Sequence, residues 1–160
     1  MWQSFVKLQK SLCLHMKIRE IKAKDLTVIS DLYVSVFSNA PWNEHWEYAW
    51  AYERLLWIFN SQGFKGYVAK VNSKIIGAIL GFVVPFKGKK GFNIIEFFIA
   101  LEHQKQGVGS QLLKKLEIDL KSYNYDFITL LTAKDSFAEA FYLNRQYNIN
   151  QEIELLNKEI

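Results

Sequence analysis

The pattern of apolar and polar positions predicts the elements of this chain in order from residue 16 onwards. Residues 16–21 predict a first strand. Asp25 is placed to cap a first helix, whose apolar residues recur at helical spacing: Leu26, Ile29, Leu32, Val36 and Phe37. A second helix is predicted to end near Asn60. Its aromatic residues also recur at helical spacing, which favours burial in the core: Trp46, Trp50, Tyr52, Trp57 and Phe59.

A β-hairpin is predicted to follow this helix pair. Residues 64–71 and 74–85 are apolar runs on either side of Asn72-Ser73, a short polar link typical of antiparallel hairpins. Gly77 and Gly81 interrupt the second of these strands. Because glycine weakens a strand interior, we expect a bulge or a close backbone approach at each.

The central segment, residues 93–116, changes character twice. It begins as an apolar run that contains one acid, Glu96, and it then breaks at polar residues and at Gly107 and Gly109. Leucines at helical spacing follow, which predicts a strand, a tight turn and a helix. A helix start presents unpaired N–H groups and the positive end of the helix dipole, and glycine there admits a phosphate. The segment therefore predicts a phosphorylated cofactor beside a candidate base.

The last elements are predicted to be a strand, a short helix and a final strand. Residues 126–132 are apolar enough for a strand buried on both faces. Asp135 or Ser136 is placed to cap a helix, since Ser136 and Glu139 have capping-box spacing. Residues 151–159 predict a terminal strand. We conclude that residues 16–160 form a single mixed α/β domain.

Composition narrows the class of protein. The chain has 160 residues, half of them hydrophobic and 16% aromatic, which is typical of one globular domain. Residues 1–15 read as an N-terminal extension, either flexible or an upstream start. The single cysteine, Cys13, fits a reducing cytoplasm. Cys13 and His15 lack nearby partners for a metal site, so no metal is expected. No apolar run approaches membrane-spanning length, and no membrane partner is expected.

Charge gives little sign of a nucleic-acid partner. The net charge is +4, and lysines are interspersed with acids, which favours a solvated surface over a nucleic-acid interface. The basic turn at residues 87–91 lacks P-loop spacing and is interpreted as a solvated loop.

Several of these features together resemble the GCN5-related N-acetyltransferases, the GNAT family. Gln104-Lys-Gln-Gly107-Val-Gly109 is similar to the family's acyl-coenzyme A motif, and it lies between strand and helix as that motif does. Ile18-Arg19 followed by Asp25 is similar to the family's opening strand and helix start. Many members carry an acid at the position of Glu96. The segment from Asp135 to Tyr142 resembles the family's Asn-x-x-Ala-x-x-Phe-Tyr helix.

The resemblance covers residues 16–160 and implies a fold and a cofactor. The fold is α/β (α+β), a single acyl-coenzyme A N-acyltransferase domain whose central mixed, mostly antiparallel sheet is flanked by helices. The cofactor is acetyl-coenzyme A. The resemblance implies these cofactor-binding residues: Phe97, Phe98, Ile99, Gln104, Lys105, Gln106, Gly107, Val108, Gly109, Ser110, Asp135, Ala138 and Phe141.

Two catalytic residues are also implied. Glu96, directly or through a water, would accept the proton of the acceptor amine, and Tyr142 would protonate the leaving thiolate. A backbone N–H near Phe98 or Ile99 would polarise the thioester carbonyl. Each side chain has a structural alternative: Glu96 would pair with a nearby arginine or backbone amide, and Tyr142 would be a core aromatic.

The sequence departs from the family pattern at several positions. Lys105 replaces a frequent glycine, Leu101 a frequent proline, and Gln146-Tyr147 the usual Gly-Phe. Asp135 replaces the usual asparagine, and a carboxylate cannot donate as an amide does. We therefore expect weaker cofactor binding if that amide normally donates. His103, beside the turn, is expected at the surface.

The acceptor is predicted to be a primary amine on a small cationic molecule. Residues 41–46 resemble a Pro-Trp-Asn-Glu element of some bacterial members related to aminoglycoside acetyltransferases. Acids beside aromatic walls suit a cation, so the candidate substrate-binding residues are Trp42, Glu44, His45 and Trp46. Alternatively, Glu44 and Glu47 simply favour a helix N-terminus electrostatically.

Three functions stay open on the sequence alone. The leading interpretation is a cytoplasmic N-acetyltransferase that uses acetyl-coenzyme A. The alternatives are a non-catalytic acyl-coenzyme A sensor or interaction module on the same fold, and a protein N-acetyltransferase. Relatives are often dimers, so a homodimer through the apolar final strand is a further expectation.

Overall fold

The computed structural model describes residues 16–160, so the predicted extension with Cys13 and His15 lies outside the described residues. The chain divides into two compact units, of which the first ends at Leu130 and the second is Leu131–Ile160. None of the helices within the described residues is long and apolar enough to cross a membrane.

The first unit is built on a five-stranded sheet. Its strands follow one another in sequence order, the first four antiparallel and the last pair parallel. The predicted mixed, mostly antiparallel sheet is therefore confirmed. The strands are β1 (Lys17–Glu20), β2 (Lys65–Val71), β3 (Lys74–Phe86), β4 (Lys89–Ile99) and β5 (Phe127–Leu130).

Over residues 16–160 the first unit has three α-helices and the second has one. Short 3₁₀ turns at Ala23–Asp25 and Leu101–His103 precede the first and third helices. The helices are α1 (Leu26–Phe37), α2 (Tyr48–Phe59), α3 (Val108–Ser122) and, in the second unit, α4 (Phe137–Leu143).

The helices of the first unit cover opposite faces of the sheet. Side chains of α1 and α2 form one core with Leu80 and Phe98, which lie on the same sheet face. Strand alternation sends Tyr67 to the other face, where its hydroxyl donates to Asp119 of α3 at 2.5 Å. Each fully buried leucine or isoleucine in these cores contributes about 1.5–3 kcal/mol. The sheet therefore lies between α1 and α2 on one face and α3 on the other.

Strand β4 has a bulge in its pairing with β3, and it extends beyond the end of its pairing with β5. Leu80 pairs with Glu96 and Gly81 with Ile94, so Ile95 is the extra residue. A Cβ at Gly81 would lie 1.9 Å from the Asn93 carbonyl oxygen, so the predicted bulge and close approach are both confirmed there. The parallel β4·β5 pairing ends at Ile94 with Leu130, while β4 continues to Ile99.

The prediction that the Asp25 side chain caps the first helix was wrong. Its carboxylate instead accepts from Arg19 Nη1 at 2.6 Å, from Arg19 Nη2 at 2.8 Å and from the Lys22 backbone N–H at 2.8 Å. The residue itself sits in helical conformation at the end of the 3₁₀ turn. The buried acid therefore ties β1 to the start of α1.

The expectation that the aromatic stripe of the second helix is core was wrong for two residues. Trp50 is 48% exposed and Trp57 is 56% exposed. The face that α2 buries consists of Ala51, Leu55 and Ile58, which follow one another at helical spacing. The tryptophans therefore lie on a different side of the helix from this buried face.

Two predictions for the last part of the chain also need correction. The side chains of β5 are half-buried, with Thr129 exposed, so this strand is not buried on both faces. Residues 151–159 do not form a strand, and Ile153, Leu155 and Leu156 are exposed. The Ser136 cap is confirmed, because its Oγ accepts from the Glu139 backbone N–H at 3.1 Å.

Candidate active site

Glu96 lies just after the bulge of β4 and is only 6% exposed. Its carboxylate oxygen Oε1 accepts from Arg54 Nε at 2.5 Å. The Tyr33 hydroxyl of α1 also interacts with this carboxylate. Burial raises the pKa of Glu96, while the Arg54 charge and the Tyr33 hydroxyl oppose that rise. The result is a buried acid with a pKa above the ordinary range of glutamate.

Arg54 reaches Glu96 from the partly exposed side of α2. Its neighbour Leu55 is fully buried and anchors the helix on the sheet, while the Arg54 side chain remains 41% exposed. Trp50 and Trp57 stand one turn before and one turn after Arg54, on the same side of the helix. Arg54 therefore contacts the buried Glu96 carboxylate from the exposed side of α2, where Trp50 and Trp57 also lie.

Aromatic rings surround Tyr33 on the same side of the sheet. The Tyr33 ring lies 4.9 Å from the Trp46 ring and 5.3 Å from the Phe98 ring. Burial raises the pKa of the Tyr33 hydroxyl, with the Glu96 charge adding to the effect. Tyr33 is thus a neutral, buried group at neutral pH, and it connects this aromatic cluster to Glu96.

Three of the four predicted acceptor residues join this cluster. Trp42 contacts Phe37 with ring centroids 5.7 Å apart, and Trp46 Nε1 donates to Glu44 Oε2 at 2.7 Å. Trp42 and Trp46 are half-buried, whereas Glu44 is exposed. His45 is exposed as well, and its ring contact is with Trp50 at 6.1 Å. The structure therefore places His45 beside Trp50 on α2, while Trp46 packs on Tyr33.

The turn after β4 has the conformation that its glycine predicts. Gly107 is the residue before α3 and adopts a left-handed φ of 86°, and a Cβ there would meet nothing within 4 Å. Lys105 is also left-handed, with φ of 57°. The N-cap residue of α3 is this glycine, which has no side chain that could accept from the first-turn N–H groups. A helix start of this kind presents backbone N–H groups and the positive end of the helix dipole to a ligand.

Two glutamines of the motif fix the turn to the preceding chain. Gln104 Nε2 donates to the Ile99 carbonyl at 3.0 Å, and Gln106 Nε2 donates to the Glu102 carbonyl at 2.7 Å. Both side chains thus shape the turn from within, and ligand contacts there fall to its backbone. His103 is half-buried rather than fully at the surface. Within the described residues its buried Nδ1 has no hydrogen-bond partner, which leaves a polar atom available beside the turn.

The strand end predicted to pair with the cofactor lies beyond the end of β5. Phe98 pairs with Ala78 and Ile99 with Gly77 of β3, on the other side of β4. The Phe98 side chain is buried in the core, while Phe97 and Ile99 are half-buried. Only the main chain of this segment is therefore suited to strand-like pairing with a ligand.

The second unit holds the remaining predicted residues on and before α4. Tyr142 is buried, with its ring 5.3 Å from both Phe141 and Tyr147. The Arg145 guanidinium lies 3.7 Å from the centroid of the Phe141 ring. Asp135 precedes the helix with a left-handed φ of 56°. Ala138 is half-buried in the first turn.

Two residues of this site were missed in the sequence. Arg54 was not singled out because nothing in a helical pattern pairs it with a strand residue 42 positions later. Tyr33 belongs to the apolar positions of α1 and gave no sign of a polar contact. The only signal was the isolated acid in β4, which required some partner if buried. The partner is Arg54, so the pairing with a nearby arginine that we gave as the structural alternative for Glu96 is present.

Comparison with known proteins identifies the family. The profile of the Acetyltransferase (GNAT) family matches residues 26–146. This match covers well over half of the chain. The chain therefore belongs to the GNAT acetyltransferase family, as its motif suggested. No curated protein sequence matches the chain significantly.

Solved structures share the fold at low identity. An aminoglycoside acetyltransferase from an uncultured soil metagenomic sample, crystallised with sisomicin, is 19% identical over 93% of this chain and 99% of that chain, with a TM-score of 0.73. A transcriptional regulator from Bacillus halodurans C-125 is 21% identical over 91% and 100%, with a TM-score of 0.69. A ribosomal-protein-alanine N-acetyltransferase from Brucella melitensis biovar Abortus 2308 is 11% identical over 90% and 99%, with a TM-score of 0.70.

Proposed function

We propose that this protein transfers an acetyl group from acetyl-coenzyme A to a primary amine of a small cationic molecule. The observation that carries the proposal is the opening in the sheet. Beyond Ile94, β4 leaves its pairing with β5, and the buried Glu96 lies in this stretch. The turn at Gly107 and the start of α3 follow further along the chain.

The residues present suit a phosphorylated cofactor. Backbone N–H groups of residues 104–110 would hold its pyrophosphate, because Gly107 leaves open space where a side chain would stand. The main chain of residues 97–99 would pair with its pantetheine arm. By resemblance to the family, Asp135, Ala138 and Phe141 of the second unit are also assigned to cofactor binding. When bound, acetyl-coenzyme A supplies the acetyl group as an activated thioester.

Proton transfer is assigned to Glu96 and Tyr142. A general base works best when its pKa lies near the working pH, and burial shifts Glu96 in that direction. Glu96, directly or through a water, would take the proton of the amine. Tyr142, on resemblance to the family's Phe-Tyr helix, would donate a proton to the leaving sulfur. A backbone N–H near Phe98 or Ile99 would polarise the acetyl carbonyl.

The acceptor would lie against the aromatic cluster beside Glu44. Glu44 is exposed, and its contact with Trp46 holds a negative charge next to an indole. A carboxylate beside an aromatic wall attracts an organic cation more strongly than either group alone. His45 and the exposed Trp50 would extend this wall along α2. These features support a small cationic amine as the acceptor class.

A non-catalytic acyl-coenzyme A-binding module is the second candidate. The ion pair between Glu96 and Arg54 favours it, because a buried carboxylate with a charged partner already has a structural explanation. Both candidates require the cofactor, so cofactor binding does not distinguish them.

Release of free thiol from acetyl-coenzyme A, measured across a panel of amines, tests the proposal. We expect amine-dependent release by the wild type, with losses of about 100-fold or more in kcat for Glu96→Gln and Tyr142→Phe. Binding of coenzyme A is measured in parallel, and both variants should retain it. Cofactor binding without any amine-dependent thiol release would contradict the proposed acetyltransferase activity and favour the non-catalytic binding module.

A further inference from the structure

We propose that Arg54 is a positioning residue for the proposed reaction: from α2 it orients the Glu96 carboxylate and favours the form that can accept a proton. This inference rests on the proposed function, since it concerns how the assigned base is prepared. Arg54 itself touches neither the acceptor nor the cofactor in this scheme.

The contact is anchored on both sides. Glu96 is held in β4 by its pairing with Leu80, whose side chain is buried in the α1–α2 core. Arg54 stands next to Leu55, which is fully buried in the same core. Because both backbones are fixed by packing, the 2.5 Å contact between Nε and Oε1 sets the orientation of the carboxylate.

Three charged or titratable groups face Glu96, each from a different segment. Arg54 comes from α2, Tyr33 from α1 and Glu44 from the connection between these helices. Burial and the Glu44 charge disfavour the carboxylate form, whereas Arg54 and the Tyr33 hydroxyl favour it. Arg54 is the cation in this set. Without it, burial and Glu44 would drive Glu96 towards the protonated form, which cannot act as a base.

A purely structural ion pair and a positioning pair differ in a measurable way. Removing Arg54 from a purely structural pair would also raise the pKa of Glu96, because the carboxylate loses its partner, but it would lower activity by the same factor at every pH. Loss of the positioning pair moves the pH at which Glu96 ionises, and with it the pH at which the enzyme becomes active. The ionisation of Glu96 is observable whether or not a substrate is known.

The first measurement is an NMR titration of the Glu96 carboxyl carbon in wild type and variants. Arg54→Gln should raise the pKa of Glu96 by roughly 1–3 units, the usual effect of an adjacent arginine on a carboxyl group. Lys74→Gln is the matched control, since it removes the same charge from an exposed pair with Glu102 at 3.7 Å. The control should leave Glu96 unchanged, and an unchanged Glu96 pKa in Arg54→Gln overturns the proposal.

Arg54→Lys provides a second test that keeps the positive charge. Lysine places a methylene where arginine has Nε, so the contact with Oε1 has to lengthen or shift. We expect a smaller rise in the Glu96 pKa than in Arg54→Gln and a partial return of activity. If Arg54→Gln does not fold, this variant decides, and a Glu96 pKa equal to that of wild type overturns the proposal.

The second measurement is kcat/KM against pH with an amine that the wild type acetylates. In Arg54→Gln the acidic limb should move to higher pH by the shift seen by NMR, so kcat/KM falls on the acidic side of the profile and recovers at higher pH. A loss that is uniform across pH would show a structural role only. Absence of thiol release by the wild type would contradict the proposed function instead. The NMR titration would still test the effect of Arg54 on the pKa of Glu96.

Discussion

At the scale of single residues, three positions where this chain differs from the family pattern have left-handed backbone conformation. Lys105 and Gln146 stand where glycine is frequent in the resemblance, and both adopt left-handed φ values, 57° and 68°. Asp135 stands where asparagine is usual, and its φ is 56°. A side chain in this region costs about 1–2 kcal/mol, except that Asp and Asn tolerate it better. The chain thus carries strain at Lys105 and Gln146 that glycine would remove.

We predict that Lys105→Gly and Gln146→Gly each stabilise the protein by roughly 0.5–1 kcal/mol. The gain is the relief of the left-handed conformation less the larger chain entropy of glycine in the unfolded state. Urea denaturation measures it as a higher midpoint at an unchanged m-value. Lys121→Gly, within α3, is the control and should lose about 1 kcal/mol. Destabilisation by both turn variants would contradict the prediction.

Gly81 is required for a different reason, namely space. A methyl group there would overlap the Asn93 carbonyl oxygen of the neighbouring strand at 1.9 Å. We predict that Gly81→Ala destabilises the protein by about 3 kcal/mol, at the upper end of overpacking costs. Gly88→Ala is the matched control, because its added Cβ meets nothing within 4 Å and only its positive φ is costly. Equal midpoints for the two variants in urea denaturation would show that the bulge yields.

At the scale of elements, α2 separates its roles by face. Ala51, Leu55 and Ile58 hold the helix on the sheet, and Trp50, Arg54 and Trp57 are on the more exposed side. Aromatic residues at helical spacing do not by themselves show which face is buried, since aliphatic residues at the same spacing compete for the core. Here the aliphatic face of α2 joins the buried core that also contains Leu80 of β3 and Phe98 of β4.

This division predicts opposite outcomes for two truncations in α2. Leu55→Ala should cost about 2–5 kcal/mol of stability, because it opens a cavity in the core. Trp57→Ala should cost much less, since Trp57 is more than half exposed and keeps mainly its contact with Phe82. Thermal denaturation compares the two. A loss in Trp57→Ala as large as that in Leu55→Ala would mean that the exposed face also supports the fold.

At the scale of the whole molecule, the proposed cofactor should stabilise the native state. A ligand that binds only the folded protein adds about 2.7 kcal/mol at a concentration one hundred times its Kd. We therefore predict a clear rise in Tm with coenzyme A that grows with concentration, and little effect of adenosine, which lacks the pyrophosphate. Gly107→Val should reduce the rise, because it fills the open space at the start of α3. An unchanged Tm in saturating coenzyme A would remove the basis of both candidate functions.

Much of the fold followed from the sequence because its signals are local. Strand and helix periodicity, the polar link at residues 72–73 and the Ser136 cap each act within a few residues. The left-handed turn at Gly107 belongs to the same class, since a glycine before a helix marks it directly. The terminal strand failed for the opposite reason. A strand needs a partner, and apolar pattern alone does not supply one.

The sequence by itself determined the family, the place of the glycine turn before α3 and the presence of an acid within an apolar strand. Only the tertiary structure decided what that acid meets. Packing of α2 on β3 and β4 brings Arg54 to Glu96 across 42 positions of chain, and packing of α1 adds Tyr33. Such contacts depend on which helix faces are buried, and that choice is made by the competition of all apolar side chains for one core. The surroundings of Glu96, the proposed base, are therefore a property of the fold.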